Sequence, residues 1–149
     1  MKALSVSPRA AMAIYEGEKT IEWRSWNTNS RGDLLICGTA KKEPGGISGK
    51  AFFCVELVGV VPFTKEHLKD ACMEHMPNPA GYAWIVGNPF TIHPIDVKGQ
   101  QGLFDVDDDL IQDICGSETD DLSDAEYDEE FNRRLQEEII PLIYVPAQL

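Results

Sequence analysis

Apolar residues come in short runs over the first hundred positions, closed by turn residues and interrupted twice by helical spacing. Lys2 to Val6 predicts a strand. Ser7-Pro8 then predicts a helix start, with Ser7 as N-cap and Pro8 at the first helical position, where its missing N–H costs nothing. Ala10, Ala11, Ile14 and Tyr15 form the inward face of this helix, and Gly17 is its stop. From Thr20 to Trp23 the pattern alternates, Ile21 and Trp23 against Thr20, Glu22 and Arg24, as in a half-buried strand. Arg31-Gly32-Asp33 turns into a strand over Leu34 to Cys37, and the stretch Lys41 to Lys50, rich in Gly and Pro, predicts a mobile loop. Ala51 to Val61 is the longest apolar run and predicts the central strand, with Glu56 its single charge. Thr64 to Met76 reads as a second helix with Leu68, Ala71, Cys72 and Met76 facing in. Tyr82 to Val86 and Gly102 to Val106 close the set as strands. There is no internal repeat and no βαβ alternation, so the expected fold is α+β: a small β-barrel with flanking helices, not a doubly wound sheet.

Charge changes the picture at Asp105. Residues 1–104 carry 11 Lys and Arg against 10 Asp and Glu, whereas residues 105–149 carry 2 against 15, a net of −13. A near-neutral body thus bears an acidic appendage, and the overall acidity says nothing about the body's partners. Asp105 to Asp121 holds eight acidic residues and no basic one, which predicts a solvated linker. Ser123-x-x-Glu126 is a capping box for a helix whose Tyr127, Phe131, Leu135 and Ile139 recur every four residues, with Pro141 as its end. A lone helix of this length is marginal in water, so its stripe must cover either the barrel or a second copy, the latter a homodimer through this helix. The expected division is a domain over residues 1–107 and an acidic linker and amphipathic helix over residues 108–149.

The 149 residues, 43% hydrophobic and 9% aromatic, suffice for one domain with a real core and exclude a wholly disordered chain. No apolar run approaches the roughly 20 residues of a membrane helix, so a soluble, cytoplasmic protein with no membrane partner is expected. Cys37, Cys54, Cys72 and Cys115 form no C-x-x-C pair, and Cys37 and Cys54 sit within apolar runs as small buried hydrophobes. His67, Cys72 and His75 splay over a wide arc on a helix, so neither a metal nor another cofactor is expected.

The chemistry concentrates between Gly17 and Trp26, where Lys19, Glu22 and Arg24 surround an apolar strand. Glu22 and Arg24 fall on one strand face, two residues apart, and can pair or address a common ligand; Lys19 stands at the strand's irregular mouth, where it can join them, although pure alternation turns it away. Spacing alone favours a surface ion pair. Gly17-x-Lys19-x-x-Glu22-x-Arg24 also resembles the signature of the ASCH domain, named for homology to activating signal cointegrator, within the PUA-like superfamily. The resemblance is to the cointegrator branch. It runs in order through Ser5-Val6, Pro8, Arg24-Ser25-Trp26, Arg31-Gly32, Ala40-Lys41-Lys42, Cys54-Val55-Glu56-Leu57, Asn88-Pro89 and Val97-Lys98-Gly99, from about Ala3 to Asp107.

This resemblance implies a curled barrel whose cleft holds the signature and takes RNA, single-stranded DNA, their ends, or a nucleoside. Lys19, Arg24 and Arg31, helped by Lys41, Lys42 and Lys98, are then the residues to meet phosphate. Trp26 is either a stacking platform for a splayed base or part of the core, and Trp23 joins Ile21 in the core. Glu56, charged within an apolar strand, needs a partner, for which Arg24 or Lys19 is the candidate. The acidic appendage is alternatively an arm that competes with nucleic acid for this basic cleft. A second function class is hydrolysis. One ASCH branch resembles an amidohydrolase of acetylated cytidine that uses a Lys, a Thr and a carboxylate, and another a metal-dependent ribonuclease. Lys19 matches the lysine, but Glu22 occupies the threonine's position, and Thr20 is two residues early. A carboxylate does not replace a hydroxyl nucleophile, so a binding module is the expected function.

Overall fold

A computed structural model describes residues 1–147. Six strands form one mixed sheet: β1 (Lys2–Val6), β2 (Ile21–Arg24), β3 (Gly32–Gly38), β4 (Lys50–Pro62), β5 (Tyr82–Asp96) and β6 (Leu103–Asp105), in the order β2-β5-β4-β3-β1-β6. Only β1 and β3 pair in parallel, joined through α1 (Pro8–Tyr15) and β2; all other neighbours are antiparallel. The register between β4 and β5 slips three times, near Ala51/Phe53, Cys54/Glu56 and Leu57/Gly59. Each irregularity bends these long strands and raises their twist, which curls the sheet into a half-barrel.

Strand alternation divides the core. Leu34 and Ile36 face inward with Leu4, Val6, Phe53 and Trp84, and α1 covers them with Ala11 and Ile14. Leu35 and Cys37 point the other way, onto Ala3, Cys54, Ile92 and Phe104. Burial pushes the Cys37 and Cys54 thiols up to about 12, so both behave as inert apolar groups. Helix α1 begins as its sequence predicts, the Ser7 hydroxyl accepting from the Ala10 N–H, and it ends at Gly17 with φ +82°. Tyr15 fastens its far end through a 2.7 Å hydrogen bond to Thr91. The loop after β3 lies against the helix start so closely that a Cβ on Gly46 would stand 2.5 Å from that of Pro8.

Two expectations are corrected. Residues 64–76 hold only a 3-10 turn, Lys65–His67, followed by irregular backbone. The Asp70 carbonyl accepts from the N–H groups of Thr20 and Ile21, and the Ala71 carbonyl accepts from Lys19 Nζ, so neither joins a helical ladder. Cys72 sits at φ +56°, outside any right-handed helix, and both Cys72 and Met76 are exposed where inward positions were expected. Nor is the stretch after Asp107 a solvated linker. The Gln112 carbonyl accepts from His93 N–H and Ile114 N–H donates to the Thr91 carbonyl, which adds a short bridge to β5 beyond its pairing with β2. Ile114 and Cys115 are buried in the main core, so the apolar interior does not stop at the expected boundary.

Helix α2 (Asp124–Arg134) starts with the reciprocal Ser123–Glu126 box that its sequence predicts. Phe131 and Leu135 pack on the barrel and Ile139 is buried in it, so the apolar stripe covers this chain's own core, while Tyr127 stays exposed. Beyond Arg134 the helix widens into a π turn and then a 3-10 turn over Ile140–Leu142, so Pro141 lies within the last turn instead of ending the helix. Arg134 Nη1 donates to the Ile114 carbonyl at 2.6 Å and to Glu118 at 2.9 Å. Tyr144 exchanges backbone hydrogen bonds with Gly45 and Gly46, tying the chain to the loop after β3. No helix among the described residues is long and apolar enough to cross a membrane.

Hydrogen bonds from Arg133 and Arg134 hold the Glu130 carboxyl down at about 2. A depressed carboxylate contributes stability above its unfolded pKa, about 4.3, and loses it as pH falls through the folded value. Thermal melts of the wild type are therefore expected to fall more steeply between those two values than melts of Glu130→Gln. Parallel curves over that range would show that these ion pairs within α2 add nothing to stability.

Candidate functional site

The signature residues form a charged relay. Strand β2 does not begin until Ile21, so Lys19 precedes the alternation and its side chain folds inward, 7% exposed. Its Nζ donates to the Ala71 carbonyl at 2.8 Å and lies 3.5 Å from Glu22 Oε1. The other Glu22 oxygen, Oε2, lies 3.5 Å from Arg24 Nη2, which also donates to the Ser5 carbonyl at 2.6 Å. Glu22 is thus neutralised from both sides, and Arg24 is turned toward β1.

Two clefts open on either side of this relay. The first, about 730 Å³, lies between α1 and residues 71–73 and is lined by Lys19 and Glu22 together with Arg9, Glu16, Glu18, Met12 and Trp23. The second, about 790 Å³, is lined by Arg24, Trp26 and Lys98 with Ser5, Thr39 and the segment Gly99–Gly102. Trp26 meets the fully buried Trp84 in a T-shaped pair, with ring centroids 4.7 Å apart, so its ring serves the core while the residue lines the cleft.

The family model for the ASCH domain matches residues 4–142. The chain belongs to the ASCH domain family. The crystal structure of ASCH from Zymomonas mobilis superposes with a TM-score of 0.56 at 17% identity, over 72% of this chain and 88% of that one. A Tyr-to-Phe variant of the Zymomonas mobilis protein gives 0.53 at 17% identity, over 71% and 89%. A Ser-to-Ala variant of it gives 0.55 at 16%, over 74% and 96%. At this identity the likeness establishes the fold, the same curled α+β sheet. No curated protein sequence matches the chain. The family match runs through residues 108–142, which include the buried Ile114 and Ile139.

Within this ASCH domain the other expected site residues scatter. Glu56 pairs with neither Arg24 nor Lys19. It faces solvent and accepts from Asn88 Nδ2 at 2.8 Å, because the burial alternation of β4 begins at Glu56, and the apolar run before it hides this in the sequence. Arg31 is exposed and bends back onto the Thr28 and Ser30 carbonyls. Lys41 and Lys42 are exposed on the loop that lends Thr39 and Ala40 to one cleft and Pro44 and Gly45 to the other, and Lys41 lies 3.7 Å from Glu43. Trp23 is half-buried, packs beside Ile21 and donates to the Ala80 carbonyl at 2.8 Å. The second cleft is also lined by Ser5, which the sequence marks only as part of the resemblance, and by Gln100 and Gln101, which sequence reasoning passed over. The signal for the last two was the Lys98-Gly99-Gln100-Gln101-Gly102 run, whose glycines bracket polar side chains.

Proposed function

We propose that this ASCH domain is a single-strand nucleic-acid-binding module, for RNA or DNA, and that the strand lies in the second cleft. The observation that carries this reading is that Arg24, Lys98 and Trp26 line one cleft. Two cations there meet phosphate oxygens and an indole offers a surface to an unstacked base, the combination that sequence-tolerant strand binding uses. The first cleft has a weaker claim, since Glu16, Glu18 and Glu22 outnumber Arg9 and Lys19 in it and repel a polyanion.

The test is fluorescence anisotropy of the full chain with short single strands across a salt series. Affinity is expected to fall steeply with salt, and Lys98→Ala to weaken all sequences alike and to flatten the log–log slope by about 0.7, the value for one phosphate contact on a single strand. Absence of binding at low salt would redirect the reading to a small ligand or a protein partner.

Deacetylation of acetylcytidine is expected to be undetectable. Glu22 stands where the amidohydrolase pattern places a hydroxyl, and each of its oxygens already faces a cation. Turnover that disappears in Lys19→Ala would reverse this expectation.

A further inference from the structure

We propose that the floor of the second cleft seats the terminal phosphate of a single strand, received by Arg24 Nε and Ser5 Oγ. This rests on the single-strand reading above and adds which part of the strand is held. Arg24 clasps Ser5 through Nη2 and the Ser5 carbonyl, yet its own Nε–H is buried without an acceptor among the described residues. The Ser5 hydroxyl is buried and unpartnered in the same way. Buried donors are nearly always satisfied, and two orphans on adjoining residues of one cleft suit an oxyanion, which accepts from both.

The shape of the floor selects the kind of phosphate. Gly99 closes over Ser5 so tightly that a Cβ there would stand 2.8 Å from Oγ, and Gly102, at φ +70°, turns the same segment. Both donors lie beneath the cleft surface, out of reach of a mid-strand phosphodiester, which carries a sugar on each of two ester oxygens. A terminal phosphate has one ester bond and three free oxygens. It enters end-on as the Gly99 backbone gives way, with Lys98 flanking it and Trp26 lining the space for the terminal base. Glu22 lies 3.5 Å from the same guanidinium, but Lys19 shares its charge, so the seat keeps its attraction for an anion.

The experiment compares binding of the full chain to a short oligothymidylate with a 5′-phosphate, a 3′-phosphate or neither. One phosphorylated end is expected to bind at least about tenfold tighter than the unphosphorylated strand, the scale of one charge-assisted contact. Arg24→Lys keeps the charge but lacks Nε–H, and Ser5→Ala removes the hydroxyl. Each is expected to shrink the preference toward one, with thermal melts confirming that both variants fold. Equal affinity for all three strands would overturn the phosphate seat and leave the single-strand groove standing. A preference that survives both substitutions would also overturn it. Failure to bind any strand would overturn both readings.

Discussion

A chain ending at Asp107 is expected to be unfolded, with the circular-dichroism spectrum and missing thermal transition of a disordered or molten chain. Truncation there strips Ile114 and Ile139 from the main core, along with Phe131 and Leu135, which pack against it. At about 1.5–3 kcal/mol for each large apolar side chain, these four alone contribute about 8 kcal/mol. A whole domain is stable by only about 5–15 kcal/mol, so a loss of this size removes most or all of the margin. The truncated chain also loses the backbone bridge to β5 and the Tyr144 tie to the loop after β3. A cooperative melt from residues 1–107 would show that the sheet is self-sufficient. For the same reason the acidic segment is part of the fold and not a detachable arm over the cleft.

Lys19→Met is expected to cost about 3 kcal/mol, the lower end of what breaking a buried ion pair costs. At this chain length that lowers the melting midpoint by about 9 °C. The amine is replaced by an apolar group of similar length, so the loss reports the unpaired Ala71 carbonyl and the carboxylate of Glu22, only 12% exposed, more than any cavity. The double variant Lys19→Met/Glu22→Met is expected to recover about half of the loss, because replacing both partners of a buried pair is often close to neutral. A single variant as stable as the wild type would mean that Lys19 is held for a ligand and contributes nothing to the fold.

The sequence was most informative where local chemistry decides the structure. Ser7-Pro8 and Ser123-x-x-Glu126 each start a helix as predicted, because capping needs only residues three apart. Residues 64–76 had helical spacing too, but the carbonyls of Asp70 and Ala71 are claimed by Thr20, Ile21 and Lys19, a tertiary demand no local pattern reveals. The barrel's end was misread for a related reason. Leu110-Ile111 and Ile114-Cys115 are short apolar pairs inside an acidic run, and only the burial of Ile114 and Cys115 shows that the run is anchored. In the candidate site, strand parity put Glu22 and Arg24 on one face. It said nothing of how a long guanidinium bends, so the parting of the signature between two clefts was not legible.

The position of Ile139 in the core also sets a timetable for synthesis. Strands β1 to β6 have all been made once Asp105 exists, but the core around Leu34, Phe53 and Val55 lacks its last members until Ile139 has cleared the ribosome. At about 5–20 residues per second the intervening segment takes about two to seven seconds to make. During that interval a long, apolar, strand-forming nascent chain is exposed, with β4 and β5 open to pairing with other chains. The π turn that ends at Ile139 packs against β5, and these long-range contacts close late, which also slows folding. The acidic residues around those late-arriving apolar ones keep the unfinished chain charged, and so apart from its neighbours on a polysome, while it waits to close.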